Sequence, residues 1–382
     1  MRLLPWLSGW LNLAAAAKHH LFVGTFDSSR LYALEFDSTT LGLTVTANIT
    51  ARGAHSWLSL SHDKKALYAS GIRDPSWHSY TIHNTSALTP SASIPLLGTQ
   101  NHNCTWLFPL TGQYILASSN PPYPVYATAP GCMNILFTDA ETGALTSIVQ
   151  TIPYTTPTAF GSLVPVEAGL MHGMALSSSG HFLYGADARN SIWTYSVDAP
   201  SGDLTLVDVM MGPVPGSDPR HAATHPGGWL YVVLEGSNAL AQYKLNENGI
   251  PDRKWTAYPL INERPGLNLS AYWPDEVMLS ATGKYLWATN RGKVAGTKGF
   301  ISAFALKADG EIERQLFIKE TATSGGGANA VSPAPWGDEF VALTDAEVGF
   351  VEVWGFDGTD AKVVSRVDIV GGRCCATAVW VD

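Results

Sequence analysis

Charge is scarce in this chain. Only 14% of its 382 residues are Asp, Glu, Lys or Arg, and acids outnumber bases to leave a net charge of −9. No basic run or stripe is present, so nucleic acid is not an expected partner, because phosphate binding draws on clustered Lys and Arg. A local Arg/His cluster can still attract a small anion. Cysteine is also rare, with four in all and no CxxC pair. Nothing therefore suggests a zinc site. No amphipathic helix of useful length is legible. Beyond the apolar run from Leu3 to Leu13, no stretch approaches the ~20 residues of a membrane span.

What is present is apolar, aromatic and long. Hydrophobic residues make up 46% of the chain, a globular composition. The length exceeds one ordinary layered core, which points to two domains or one repeat-built domain. The N-terminus reads MRLLPWLSGWLNLAAAA. One Arg, an apolar run and a small-residue end have the form of a secretory signal peptide spanning 1–17. The expected mature domain is 18–382. Four sequons, at Asn48, Asn84, Asn103 and Asn268, fit a secreted glycoprotein. In an exported chain the even cysteine count suggests disulfides. The short intervening loop favours Cys104–Cys132, which leaves Cys374 and Cys375 either as a vicinal bond or reduced.

The chain repeats. Six 16-residue windows begin at 56, 104, 172, 220, 276 and 329; two of them read RHAATHPGGWLYVVLE and EVMLSATGKYLWATNR. Each holds a small or apolar strand, a polar turn and a strand with an aromatic or aliphatic centre. Alternating third strands follow, such as NSIWTYSVD and NALAQYKLN, then turns and a fourth strand. Four antiparallel strands repeated at this spacing describe a β-propeller. Residues 19–37 match the second and third strands of a seventh unit, and CCATAVWVD at 374–382 can supply its inner strand. This closure hides two open sheet edges. The expected fold is all-β, a single seven-bladed propeller. The Pro- and Gly-rich stretches 120–131 and 153–169 are expected to be loops.

In such a fold the start of a first strand and the end of a second meet at one mouth of the channel. The six pairs of window ends are Ser56/Gly71, Cys104/Ser119, His172/Asp187, Arg220/Glu235, Glu276/Arg291 and Asn329/Thr344. The ionisable pairs fall in three consecutive units. His172, Arg220, Glu235 and Arg291 are the candidate catalytic residues. His221, Glu276 and Trp273 join Arg220 and Arg291 as candidate substrate contacts, since convergent polar groups beside aromatic walls are typical of ligand sites. Asp187 fits a structural role better, bonding backbone amides. His225 and His62 lie in turns expected on the opposite face. His19 and His20 carry little signal.

The segments DPRHAATHPGGWLYVVLE, GKYLWATNRG and MHGMALSSSGHFLYGAD resemble the lactonase-type seven-bladed propellers. Within that group the FVGTF opening and YWPDEVMLSATGKYLWATNR resemble the fungal 3-carboxy-cis,cis-muconate cyclases. The bacterial-type 6-phosphogluconolactonases share the PRH and NRG elements. The resemblance implies a reaction without metal or cofactor on a small anionic polycarboxylate or a lactone, with no nucleic acid and no membrane. Self-association is left open. Carried over by motif, the family's active-site His falls on His172, its two Arg on Arg220 and Arg291, and its Glu on Glu235. Arginine forks suit carboxylates, and a proton donor completes a lactonisation. The expected donor is His172, with Glu235 as polariser or reverse-step base. An exported chain sits apart from intracellular aromatic catabolism, so a secreted lactonase and a non-catalytic binding propeller stand as alternatives.

Overall fold

Strands dominate because the repeat alternates short apolar runs with Gly, Asn and Asp turns. In the computed structural model, which describes residues 17–72, 74–96, 112, 114–157, 163–165, 170–262, 266–371 and 374–381, seven four-stranded antiparallel sheets form a ring. Blade 1 joins 18–50 to the C-terminal strand Cys374–Trp380, as the split unit predicts, with Leu21 opposite Trp380. Blades 2 to 7 follow in order at 58–95, 114–153, 171–211, 219–259, 272–320 and 331–368. Among the described residues helix is confined to two single 3-10 turns, Glu235–Ser237 and Leu269–Ala271. None is long and apolar enough to cross a membrane.

Position in the blade explains composition. Second strands lie between neighbouring blades and read apolar on both faces, as in WLYVVL, of which five residues are buried. Outermost strands such as PDRKWTAYP are mostly exposed. The cores lie between adjacent sheets. Tyr184 and Ile192 of blade 4, for example, pack with Val232 and Tyr243 of blade 5. A repeated tie stitches blade to blade. Tyr68, Tyr126 and Tyr184 each donate from the phenol to the carbonyl of a turn glycine in the next blade, Gly143, Gly202 and Gly249, at 2.9, 3.1 and 2.8 Å. Tyr231 does the same to Gly310. The buried hydroxyl is satisfied only if the next turn is in place, so the contact sets blade spacing.

Two expectations need correction. The window at 104–119 is out of register. Tyr114–Ala117 is the innermost strand of blade 3, and its partner is Val125–Ala129, inside the stretch expected to be a loop. Pro121, Pro122 and Pro124 form the turn between them and hide the short strand VYATA that follows. The stretch 153–169 also contains strand: Thr155–Pro157 pairs with Leu163–Pro165. Cys374 and Cys375 are bonded to each other. Cys132 is disulfide-bonded, but Cys104 lies outside the described residues, as do residues 1–16 of the expected signal peptide and Asn103.

Polar ties add to the apolar packing that closes the ring between blade 7 and the C-terminal strand. The buried Thr344 hydroxyl accepts from Ala330 N at 3.1 Å and donates to Ala376 O at 2.7 Å, bridging blade 7 to the C-terminal strand. Trp380 Nε1 donates to Ser332 O at 2.8 Å beside it. Thr344→Val keeps the shape and strands both backbone partners. It should cost about 1–3 kcal/mol, read as a lower midpoint in denaturant unfolding.

Candidate active site

Three consecutive inner strands begin with the same irregularity. Met171 pairs with Asp187 but Gly173 with Ala186; Pro219 pairs with Leu234 but Ala222 with Val232; Pro274 pairs with Asn290 but Val277 with Ala288. Each interval holds one extra residue on the inner strand, a β-bulge, which re-aims side chains that simple alternation would send elsewhere. His172, Arg220 and Asp275 occupy equivalent bulge positions and all face one cavity of about 360 Å³. Glu235, in the 3-10 turn after the second strand of blade 5, and Arg291, near the end of that of blade 6, complete its polar wall. Phe26, Trp57, Ile72, Leu170 and Trp273 supply apolar surface.

The charges interlock. Arg220 Nε lies 2.9 Å from Glu235 Oε2, close but without its N–H directed at the oxygen, and its terminal nitrogen is 3.2 Å from Asp275 Oδ1. Arg291 reaches the same two carboxylates at 3.6 Å each. Its guanidinium also donates to Gly327 O at 2.7 Å and stacks 4.2 Å over the Trp273 ring. Asp275 accepts a further bond from Asn329 N at 2.6 Å. Arg220, Asp275 and Arg291 are almost wholly buried; Glu235, with 29% of its side chain exposed, is the open member.

Burial sets the protonation states. Burial would raise the Asp275 carboxyl, but Arg291 and Arg220 hold it below the usual carboxylate range. Burial and the nearby Arg220 lower Arg291 to about 10, still charged at neutral pH. Burial, reinforced by Arg220, His221 and Arg291, holds His172 well below the ordinary imidazole value, so it is neutral.

All four candidate catalytic residues therefore share one cavity, and Trp273 lines it as expected. Two other candidates do not. His221 sits behind His172, 3.0 Å from its Nδ1, and does not line the cavity. Glu276 faces the far side of the channel, in a second cavity of about 260 Å³ with Trp57, Tyr114 and Trp380. Burial and Asp275 push its carboxyl well above the usual range, and its Oε2 has no partner. Asp275 takes the place expected for Glu276. The hairpin of blade 6 is one residue longer than that of blade 5, so windows of equal length slip by one. The shared Pro, in Pro219-Arg220-His221 and Pro274-Asp275-Glu276, is the signal that aligns them correctly. Asp187 is structural as read, accepting from the Leu170 and Arg189 amides at 2.9 Å each. His225 likewise bonds within its turn, to Gly227 N at 2.9 Å. His62 stacks on Tyr123. Among the described residues no group of three or more His, Cys, Asp or Glu could hold a metal ion.

With this geometry in place, comparison with known proteins is decisive about kinship. The model of the seven-bladed β-propeller lactonases matches residues 20–329. The chain belongs to the lactonase family. A relative from Neurospora crassa named carboxy-cis,cis-muconate cyclase is 31% identical over 379 residues, covering 95% of this chain and 99% of that one. Muconate cycloisomerase 1 of Cutaneotrichosporon cutaneum is 30% identical, covering 96% and 99%. A probable 6-phosphogluconolactonase of Arthroderma benhamiae is 26% identical, covering 76% and 72%.

In this lactonase-family site Asp275 separates two buried cations. Asp275→Ala should destabilise the fold by about 3–5 kcal/mol, the usual consequence of leaving buried charge unpaired. Glu235→Gln, at the half-open position, should cost no more than about 1 kcal/mol. Chemical denaturation of the two variants checks the contrast.

Proposed function

We propose that this chain is a cofactor-free isomerase of the carboxymuconate cyclase type, closing a muconate-like polycarboxylate to a lactone. The observation that carries this is the pair of guanidiniums in one cavity beside a neutral imidazole. Arg220 and Arg291 fit a substrate with several carboxylates. Holding it fixes the attacking carboxylate near its target carbon, which substitutes for a bimolecular encounter. As the C–O bond forms, the alkene electron pair moves to the adjacent carbon. Negative charge then builds on the carboxylate attached there, beside the arginines. A proton must finally reach that carbon, and His172 is our donor, with Glu235 as the nearby carboxylate for the reverse step.

His172 is neutral before substrate binds, so the substrate must change its state. Three carboxylates brought against Arg220 and Arg291 offset the positive field that, after burial, holds the imidazole down. The His172 pKa then rises, and the complex binds more protons than the separate partners. The sign follows: affinity increases as pH falls through the neutral range. Calorimetry of a polycarboxylate analogue between pH 6 and 8, in two buffers of different ionisation enthalpy, should show net proton uptake. Release, or none, counts against this role for His172.

A second reading is a lactone hydrolase, supported by the family's name and by the relative named as a probable 6-phosphogluconolactonase. Purified protein should consume carboxymuconate with loss of ultraviolet absorbance. Arg220→Ala should lower kcat/KM at least about 100-fold, and His172→Ala should lower kcat by a similar factor with KM largely kept. Acid release from a lactone panel without muconate turnover selects the hydrolase instead; neither reaction selects the binding propeller. Secretion and glycosylation also belong to our proposal. The exposed sequon residues Asn48, Asn84 and Asn268 are compatible with them.

A further inference from the structure

His221 was expected to touch substrate, yet it lies one layer behind the cavity with 2% exposure. We propose that His221 is a positioning residue that holds His172 in the tautomer carrying its proton on Nε2, the nitrogen left free for the cavity. The kinetic half of the test rests on the cyclase reading; the tautomer itself does not.

The argument starts from Nδ1 of His172, which has two close neighbours. His221 Nε2 is 3.0 Å away and Arg220 Nη1 is 3.4 Å away. A guanidinium has only donors, so at 3.4 Å it favours a lone pair on the Nδ1 it faces, while the 3.0 Å contact with His221 is the stronger hold. His221 Nε2 meets that same lone pair and must therefore carry a hydrogen. A neutral imidazole has one N–H, so the proton of His172 is on Nε2. The reverse tautomer would aim the Nδ1 hydrogen at the N–H of Arg220. In the substrate-free protein the Nε2–H on the cavity side is the donor that receives and orients a substrate carboxylate. Delivery to carbon follows once the ring has taken up its second proton with the substrate, since a neutral imidazole losing its hydrogen would be left as an imidazolate. Fixing one tautomer through the second nitrogen is a recurrent way to supply such a donor.

The surroundings hold His221 in place. Trp57 and Tyr114 meet its ring edge-on, with centroids 4.8 and 5.4 Å away. The bulge in blade 5 lets adjacent Arg220 and His221 both approach His172, where plain alternation would turn one away. Gly173 is the second requirement. A Cβ there would lie 2.8 Å from both Cα and Cδ2 of His221 and 2.7 Å from Arg220 O. Only a glycine beside His172 lets the inner strands of blades 4 and 5 come close enough for the two rings to bond.

The experiment uses the whole mature protein, labelled with 15N-histidine and without ligand. Two-bond 1H–15N correlation spectra, assigned with His172→Ala, report which His172 nitrogen bears hydrogen. The expected result is the Nε2–H form in the wild type. His221→Phe keeps a ring between Trp57 and Tyr114 and removes the 3.0 Å donor, leaving only the longer 3.4 Å contact with Arg220, so a measurable fraction of the Nδ1–H form should appear. His221→Gln, which retains an N–H, should restore the wild-type pattern. On carboxymuconate, His221→Phe should lower kcat about 10- to 100-fold, the usual effect of losing a second-layer partner. KM should stay within about two-fold and His221→Gln should recover most of kcat, whereas a merely structural role would move neither tautomer nor kcat selectively. A wild-type His172 found in the Nδ1–H form overturns the proposal, whatever the variants do. So does a His221→Phe spectrum unchanged from wild type. Absence of muconate turnover would reject the cyclase reading and leave the spectra to decide the tautomer.

Discussion

Two guanidiniums cannot share a buried pocket without an anion between them. At an effective dielectric near 20, two unit charges about 5 Å apart repel by roughly 3 kcal/mol, before any cost of removing them from water. Asp275 resolves this by facing both Arg220 and Arg291 and taking a backbone bond from Asn329. Its own burial opposes ionisation, and the two cations overcome that opposition. The other features of the cavity follow. Burial and the two arginines keep the neighbouring imidazole neutral, and burial, with Asp275 adding to it, keeps Glu276 protonated.

The chain places Asp275 by a repeated backbone irregularity rather than by a special loop. Equivalent bulges in blades 4, 5 and 6 send their first residue to the upper cavity: His172, Arg220 and Asp275. Their second residues, Gly173, His221 and Glu276, line no part of it. One structural device, copied with the repeat, thus yields three different chemical groups by substitution alone. A rigid sheet edge also holds them more narrowly than a loop tip would.

This explains what was legible in the sequence. Seven units, the split blade and the meeting of Arg220 with Glu235 follow from strand period and repeat length, because both reflect backbone geometry that every blade shares. The slip from Asp275 to Glu276 came from the one-residue difference in length between the hairpins of blades 5 and 6, which a window of fixed length cannot register. The missed strand Val125–Ala129 has a similar cause, since three nearby prolines dominate the local pattern while only five residues carry the strand. The position of His221 behind the cavity was not legible at all. It depends on the bulge and on the missing Cβ of Gly173 acting together across two blades.

The protein's own groups leave the cavity close to electrically balanced, with two guanidiniums against two carboxylates. Under the cyclase reading, an incoming polycarboxylate must therefore displace a protein carboxylate from the arginines. Asp275 is a poor candidate for that exchange, being buried and tied to a backbone amide. Glu235 is the better one. It is 29% exposed, it sits in a one-turn 3-10 segment, and among the described residues its ion pairs are to the two guanidiniums. Its contact with Arg220 Nε is close but poorly aligned, so less is lost when it leaves than the distance suggests. A substrate carboxylate aligned on the same fork would make the stronger bond. The displaced Glu235 would remain at the cavity mouth, beside the reacting end of the substrate. A ligand with one carboxylate gains less from the same exchange, since it replaces one anion and leaves the second arginine as it was. Preference for several carboxylates then arises from what the protein must give up, in addition to what it offers.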